Sequence, residues 1–346
     1  MKPLFKEDLE QILAQSHEDL LSLKGGHLFV TGGTGFFGKW ILESLSHANQ
    51  RLLGGTLKIT ALARDPARAK SLYAETSAAN SVEWISGDIA TFSFPEGSFS
   101  HVIHAATPAR ASVNELAPLT MLETTVQGTL RTLEFSRKAG VSRFLLTSSG
   151  AVYGQQPSDL YGVPESHPGS LNPMDSKNAY AIGKLLSEHF CRHYSNNQLK
   201  CLIARCFAFV GPGLPLDEHF AIGNFIGDAL AGKKITIKGD GTPYRSYLYP
   251  TDLMVQLLAI LARGESCTPY NVGSAQAIDI RGTAEAVSRV AGGSYEVLGT
   301  PDPLRAPTRY VPDTSKIVRE LIPQMPLPLD QAILRTLQWH QGDLKS

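Results

Sequence analysis

The sequence predicts a doubly wound α/β fold, a parallel sheet with helices on both faces, followed by a smaller C-terminal domain. Three observations predict it. Short apolar runs alternate with longer segments of helical periodicity from His27 to Phe207. A glycine-rich turn, "TGGTGFFG", joins the first apolar run to the first helical segment. Beyond Phe207, Pro212, Pro215, Pro243, Pro250 and Pro269 loosen the alternation. Regular strand–helix alternation is the pattern of a parallel sheet buried on both sides, because each crossover lays a helix on one face.

In chain order, Leu9, Ile12, Leu13 and Leu20 stand at helical spacings between Leu4 and Leu23, which predicts one amphipathic helix ending at Gly25-Gly26. Strand and helix then alternate through "HLFVTG", "GKWILESLSH", "LKITALAR", "DPARAKSLYAE", "SVEWIS" and "SHVIHAA". A long helix from Asn114 to Ala139, the strand "SRFLLTSS", a helix from Tyr180 to Tyr194 and the strand "LKCLIARCF" follow. The expected organisation is a helical extension over 1–24, a dinucleotide-binding domain over 25–206 plus about 247–274, and a substrate domain over about 207–246 and 275–346.

Composition narrows the partners. Lys plus Arg equals Asp plus Glu at 32 each, so no long-range field draws nucleic acid or an anionic membrane. Cys191, Cys201, Cys206 and Cys267 show no CxxC spacing and read as reduced core thiols, with no metal site expected. The first residues are acidic and lack an apolar signal core, and no apolar run is long enough to span a bilayer. A cytoplasmic location is the expectation.

In "FVTGGTGFFGKWILESL" the chain passes from strand through Gly32, Gly35 and Gly38 into a helix. Such a turn aims backbone N–H groups and a helix N-terminus at a pyrophosphate, and side chains at the glycines hold the phosphates off. A plain tight turn uses the same residue, but the place after the first strand points to a dinucleotide. At the end of the second strand, where an acid would hold a ribose hydroxyl, stand Ala63 and Arg64, with Arg68 one turn on. Arginine suits a 2′-phosphate, so NADP is favoured over NAD, although Asp65 is adjacent. Asp88 in "WISGD" is a candidate acceptor for the adenine amino group or a simple turn residue.

"SKNAYAIGKLLSEHF" sets Tyr180 and Lys184 four apart on one helical face. A phenol of ordinary pKa is a poor base at neutral pH, and a neighbouring ammonium favours its ionised form. The pair is a candidate acid/base.

The ordered set "TGGTGFFG", Gly87-Asp88, "VIHAA", "TSSGAVYG", "YAIGK", "GDGTPYRSYLYPTDL" and "YNVGS" resembles the extended short-chain dehydrogenase/reductases, the NAD-dependent epimerase/dehydratases of nucleotide sugars, over residues 27 to about 320. The resemblance implies a Rossmann-type domain and a homodimer through the helices near 114–139 and 178–195. It implies that Tyr180 is the acid/base, that Lys184 fixes the ribose and lowers the tyrosine pKa, and that Ser149 bonds the reacting oxygen. The cofactor would lie against Gly32, Gly35, Phe36, Phe37, Gly38, Arg64, Asp88, Ile89, His104, Ala105 and Ala106; His104 itself reads as structural.

Dehydrating relatives carry an Asp-Glu pair, and decarboxylating ones a glutamate, where this chain has Gly150 and Ala151. Neither residue transfers a proton, which leaves alcohol–ketone interconversion. Arg245, in "DGTPYRSYLYPTD", matches the family arginine that clamps the diphosphate; Arg305, Arg309 and Asn224 are further substrate candidates. Arg205-Cys206-Phe207-Ala208 lacks the asparagine of the family's Arg-x-Phe-Asn. The expected function is NAD(P)-dependent epimerisation at C4 of a nucleotide sugar. The alternatives are an NADPH-dependent keto-sugar reductase, a 4,6-dehydratase if an acid such as Asp175 or Glu165 reaches the site, a decarboxylase, and a non-catalytic NADP(H)-sensing protein.

Overall fold

The structure is a computed structural model that describes residues 1–107, 117–218, 220–304 and 306–342. Its core is a seven-stranded parallel sheet in the order β3-β2-β1-β4-β5-β6-β9. The strands are β1 (His27–Thr31), β2 (Lys58–Ala63), β3 (Val82–Ser86), β4 (His101–His104), β5 (Arg143–Ser149), β6 (Lys200–Cys206) and β9 (Pro269–Val272). The order reverses at β1, so the crevice at the carboxyl ends of β1 and β4 is where an open sheet of this kind binds ligands.

Side-chain alternation along the strands builds two cores. Leu28, Val30, Leu145, Leu202 and Ala204 point to one face, where α3 (Phe36–Arg51) and α8 (Pro250–Arg263) lie. Phe29, Phe144, Leu146, Cys201 and Ile203 point to the other, under α5 (Pro118–Lys138) and α6 (Ala179–Tyr194). Strands this apolar on both faces fit only the interior of a sandwich of helices. A further helix of this half, α4 (Pro66–Leu72), begins with Asp65 capping the N–H of Arg68 at 2.9 Å.

The N-terminal stretch differs from the expected single helix. It forms α1 (Lys6–Gln15) and α2 (His17–Leu21), broken at Ser16, whose φ and ψ of −112° and 21° are not helical. The bend keeps both Ile12 and Leu20 buried, and both short helices lie on α8. Charged contacts reinforce the packing: Asp8 accepts from Tyr249 at 2.6 Å and from Arg335, and Asp19 takes Arg263. The long helix α5 opens at Pro118, in the first turn, where its missing N–H costs nothing.

The rest of the chain supplies α7 (Ala221–Leu230), β7 (Ile235–Ile237), β8 (Tyr244–Arg245), β10 (Ile278–Asp279), α9 (Ile280–Ala291), β11 (Tyr295–Val297), β12 (Arg309–Tyr310), α10 (Ser315–Glu320) and α11 (Leu329–Gln341). Two small sheets form here, β10-β8-β12 and β11-β7. Among the described residues, no helix is long and apolar enough to cross a membrane.

Candidate functional site

The glycine turn uses its three glycines differently. Gly32 has φ +76°, and a Cβ there would lie 2.5 Å from the carbonyl of Ala105. A Cβ on Gly38 would lie 2.3 Å from the carbonyl of Gly32. Both are demanded by the turn's own packing. Gly35 is different: it is exposed, and its Cβ would meet only the Gly32 carbonyl, at 3.5 Å. It caps α3 with no side chain bonding the first N–H groups, so a bare helix N-terminus opens on the crevice. Phe36 and Phe37 turn their rings onto Phe209, leaving their backbone for the turn.

Behind this turn His104 ties three elements together. Its Nδ1 meets Thr31 Oγ1 at 2.8 Å and its Nε2 meets Thr129 Oγ1 at 3.2 Å; Thr31 Oγ1 also accepts from the Ala106 N–H. Burial drives the His104 pKa down to about 3, with the Lys184 charge adding to the effect, so the ring stays neutral. His104 is thus a strut that holds Ala105 and Ala106 against Gly32, and it lies behind the crevice wall. Asp88 sits just past β3, exposed, with one oxygen accepting from the Ala90 N–H at 3.0 Å; Ile89 packs against Gly128.

Ser149 ends β5 and caps the following short turn, its Oγ accepting from the Ala151 N–H at 3.1 Å. Tyr180, in the first turn of α6, hydrogen-bonds Ser149. Lys184 lies one turn on, its Nζ 2.7 Å from both the Thr147 carbonyl and Thr107 Oγ1. The three sequence-predicted catalytic residues therefore converge. Burial pushes the Tyr180 phenol up to about 12, against the pull of the Ser149 bond, and pushes Lys184 down to about 8. The Lys184 ammonium is aimed at the Thr147 carbonyl and stands 5.9 Å from the centre of the phenol ring.

The carboxylates proposed as substitutes are committed elsewhere. Glu165 Oε1 accepts from the Asn271 N–H at 2.8 Å, and Asp175 accepts from the Lys177 N–H. Gly150 has a steric reason to be glycine, since a Cβ would lie 2.7 Å from the ring of Phe207. An aromatic ring occupies the space beside the position where relatives place an acid.

Sequence reading missed the floor beneath the site. Arg205 grips Glu188 through two nitrogens, at 2.7 and 3.0 Å, and reaches Tyr153 Oη at 2.9 Å; Tyr153 donates to Asn271 Oδ1 at 2.8 Å, and Ser148 donates to Glu188. This buried, fully paired network fixes β5, β6, β9 and α6 against one another. Tyr310 was also missed. Its hydroxyl lies 3.5 Å from Ser149 Oγ.

On the substrate side, β12 pairs with β8 so that Tyr310 stands opposite Arg245, and Arg309 opposite Tyr244. Paired residues share a face, so Arg245 accompanies Tyr310 while Arg309 faces the other way, stacked 4.2 Å from the ring centre of Tyr244 and 5.3 Å from that of Tyr161. Asn224 is exposed on α7. Arg305 lies outside the described residues.

The sequence profile of the NAD dependent epimerase/dehydratase family matches residues 28–273, from β1 to just past β9. The chain belongs to that family. Two curated family enzymes are similar to it. UDP-glucuronic acid decarboxylase 1 of Xenopus tropicalis is 26% identical over 92% of this chain and 73% of its own length. UDP-glucuronic acid decarboxylase 3 of Arabidopsis thaliana is 33% identical over 62% of each, so the match spans about three-fifths of the plant enzyme. Among solved structures, a UDP-glucose 4-epimerase of Thermotoga maritima aligns with a TM-score of 0.74 at 21% identity, covering 92% of this chain and all of that one. The dTDP-glucose 4,6-dehydratase DesIV of Streptomyces venezuelae, solved with NAD bound, aligns at 0.72 and 24%, covering 92% and 97%. As a member of this enzyme family, the chain is expected to hold NAD, and its residues fit one. The open side of Gly35 and the uncapped start of α3 suit a pyrophosphate. Arg64 and Arg68 are exposed beyond β2.

Proposed function

We propose that the protein interconverts alcohol and ketone at C4 of a nucleotide sugar, with net epimerisation as the outcome. The observation that carries this reading is the convergence of Ser149, Tyr180 and Lys184 at the end of β5, followed by two positions, Gly150 and Ala151, that carry no proton-transferring group. The names of the relatives support a nucleotide sugar as substrate.

NAD, when bound, supplies the hydride acceptor and donor and a positive ring that favours the phenolate. Tyr180 takes the proton of the C4 hydroxyl as that carbon is oxidised and returns it to the ketone oxygen on reduction. Ser149 donates to the same oxygen and holds it in line. Lys184, held by the Thr147 carbonyl and Thr107 Oγ1, would meet the cofactor ribose. Arg245, sharing the face of Tyr310, is placed to meet the substrate diphosphate. Arg64 and Arg68 favour a cofactor with a 2′-phosphate, because Asp65, the acid beside Arg64 in the chain, is engaged in capping α4. Exposed Leu119, Leu185 and Leu186 on α5 and α6 support a homodimer through those helices.

The curated relatives favour a second reading, decarboxylation of a nucleotide uronic acid. Oxidation at C4 makes the C5 carboxylate a β-keto acid; the bond to carbon dioxide breaks, its electron pair forms an enolate, and C5 must then be protonated. Gly150 and Ala151 offer no donor for that last step, which places this reading second.

Incubation with NAD or NADP and UDP-, dTDP-, GDP- and CDP-sugars in deuterated water tests the proposal. Inversion at C4 with no deuterium at C5 is expected. Carbon dioxide release from a uronic acid would establish the second reading, deuterium at C5 with loss of water would indicate a dehydratase, and turnover only of keto-sugars with added NADPH would indicate a reductase.

A further inference from the structure

The catalytic assignment above leaves one hydroxyl at the site unused. Tyr310 Oη lies 3.5 Å from Ser149 Oγ, although the two residues are 161 positions apart. Its place is fixed from several sides. The ring packs against Phe207, tilted by 40° with centres 4.8 Å apart, and β12 is paired to β8. The next three residues are stitched to other segments: the Val311 N–H donates to buried Gln156 at 2.9 Å, the Val311 carbonyl accepts from the Val163 N–H, the Asp313 N–H donates to the Val163 carbonyl, and Asn271 donates to the Asp313 carbonyl. A side chain held by this many independent contacts is not there by accident of a loose loop.

Counting hydrogen bonds at Ser149 gives the hydroxyl a direction. A serine hydroxyl has one proton to give and two lone pairs. One lone pair takes the Ala151 N–H. For Tyr180 to act as a base, its phenolate oxygen must accept, so the single Ser149 proton goes to Tyr180 or to the reacting oxygen beside it. The second lone pair then remains, and Tyr310 is the hydroxyl in reach of it. Gly150 and Ala151 have no side chains that could do the same.

We propose that Tyr310 is a positioning residue: its phenol donates to Ser149 Oγ, which keeps the single serine proton turned toward Tyr180 or the reacting oxygen beside it and supports the phenolate. This rests on the reading of Tyr180 as the acid/base. It gives β12 a task in the chemistry, carried out through Ser149 and without contact between Tyr310 and the substrate.

Tyr310→Phe removes the hydroxyl and keeps the ring on Phe207, so the thermal midpoint should stay at the wild-type value. In the NAD-saturated protein, tyrosine ζ-carbon NMR, assigned with Tyr180→Phe and Tyr310→Phe, should show Tyr180 ionising at higher pH once the Tyr310 hydroxyl is gone. Turnover should fall about tenfold with KM changed by less than about twofold, the size of one lost hydrogen bond felt at the transition state. In a Ser149→Ala background, Tyr310→Phe should change neither quantity further. An unmoved Tyr180 titration in Tyr310→Phe overturns the proposal, as does a shift that persists without Ser149. A wild-type protein that turns over no nucleotide sugar overturns the functional reading alone, because the titration needs no substrate and still decides the role of Tyr310.

Discussion

The two walls of the crevice are built by opposite means. The cofactor wall is made of backbone: Gly32 and Gly38 pack within a few ångströms of neighbouring carbonyls, Gly35 stays open, and a bare helix start faces outward. The substrate wall is made of side chains gathered from distant segments, with Tyr310 meeting Ser149 at the end of β5, Phe207 meeting Gly150, and Arg205 and Asn271 meeting Tyr153 in the turn that follows. The first wall depends on what is absent at a few adjacent positions. The second depends on many long-range pairs being satisfied together, so its failures should be larger and more cooperative.

The largest expected effect tests the substrate wall at its reacting group. Tyr180→Phe should lower turnover by about 10²–10⁴-fold with cofactor affinity unchanged, measured by steady-state kinetics beside NAD titration; retained turnover would remove Tyr180 from its role. Next is the floor. Arg205→Met leaves Glu188 charged and buried without its partner and should cost about 3–5 kcal/mol in denaturant unfolding. A loss of under about 1 kcal/mol would mean the network is not cooperative.

The strut behind the cofactor wall gives a pH dependence. His104 is neutral in the fold, with a pKa lowered to about 3, and takes a proton near its ordinary 6.5 when unfolded. Below pH 6.5 the unfolded chain therefore binds more protons, and stability falls as pH drops from 6.5 toward 3. In His104→Gln the thermal midpoint should start lower but decline less steeply across that window. His101, lowered to about 4, keeps part of the slope in both proteins.

The glycines sharpen the contrast within one wall. Gly38→Ala should destabilise the fold by about 1–3 kcal/mol, because its Cβ meets backbone that cannot yield. Gly35→Ala should leave the thermal midpoint nearly unchanged and weaken NAD binding; equal effects from the two changes would contradict the division of labour. The smallest effect is at the ribose. Arg64→Asp should shift the NADP-to-NAD preference by about tenfold toward NAD, the worth of one charge-assisted bond. An unchanged ratio would remove Arg64 from the cofactor site.

Much of this molecule was legible in its sequence because the relevant physics is local. Alternating apolar runs specify a doubly wound sheet, a Gly-x-x-Gly-x-x-Gly run specifies a tight strand-to-helix turn, and a four-residue spacing puts Tyr180 and Lys184 on one face. The same locality explains the errors. The break at Ser16 serves contacts with α8, more than 200 residues on, so helical periodicity alone ran α1 and α2 together. Burial, which pushes Tyr180 up and Lys184 down, was not legible from their four-residue spacing, because it depends on everything packed around the pair.

The sequence by itself determined the sheet, the glycine turn and the residues able to move a proton. Only the tertiary structure decided what stands around that proton. It filled the space beside Gly150 with a ring, turned Arg309 away and brought Tyr310 to Ser149. Periodicity fixes which face a side chain takes within its own element, whereas the partners on that face are chosen by strand register and by the packing of segments far apart in the chain.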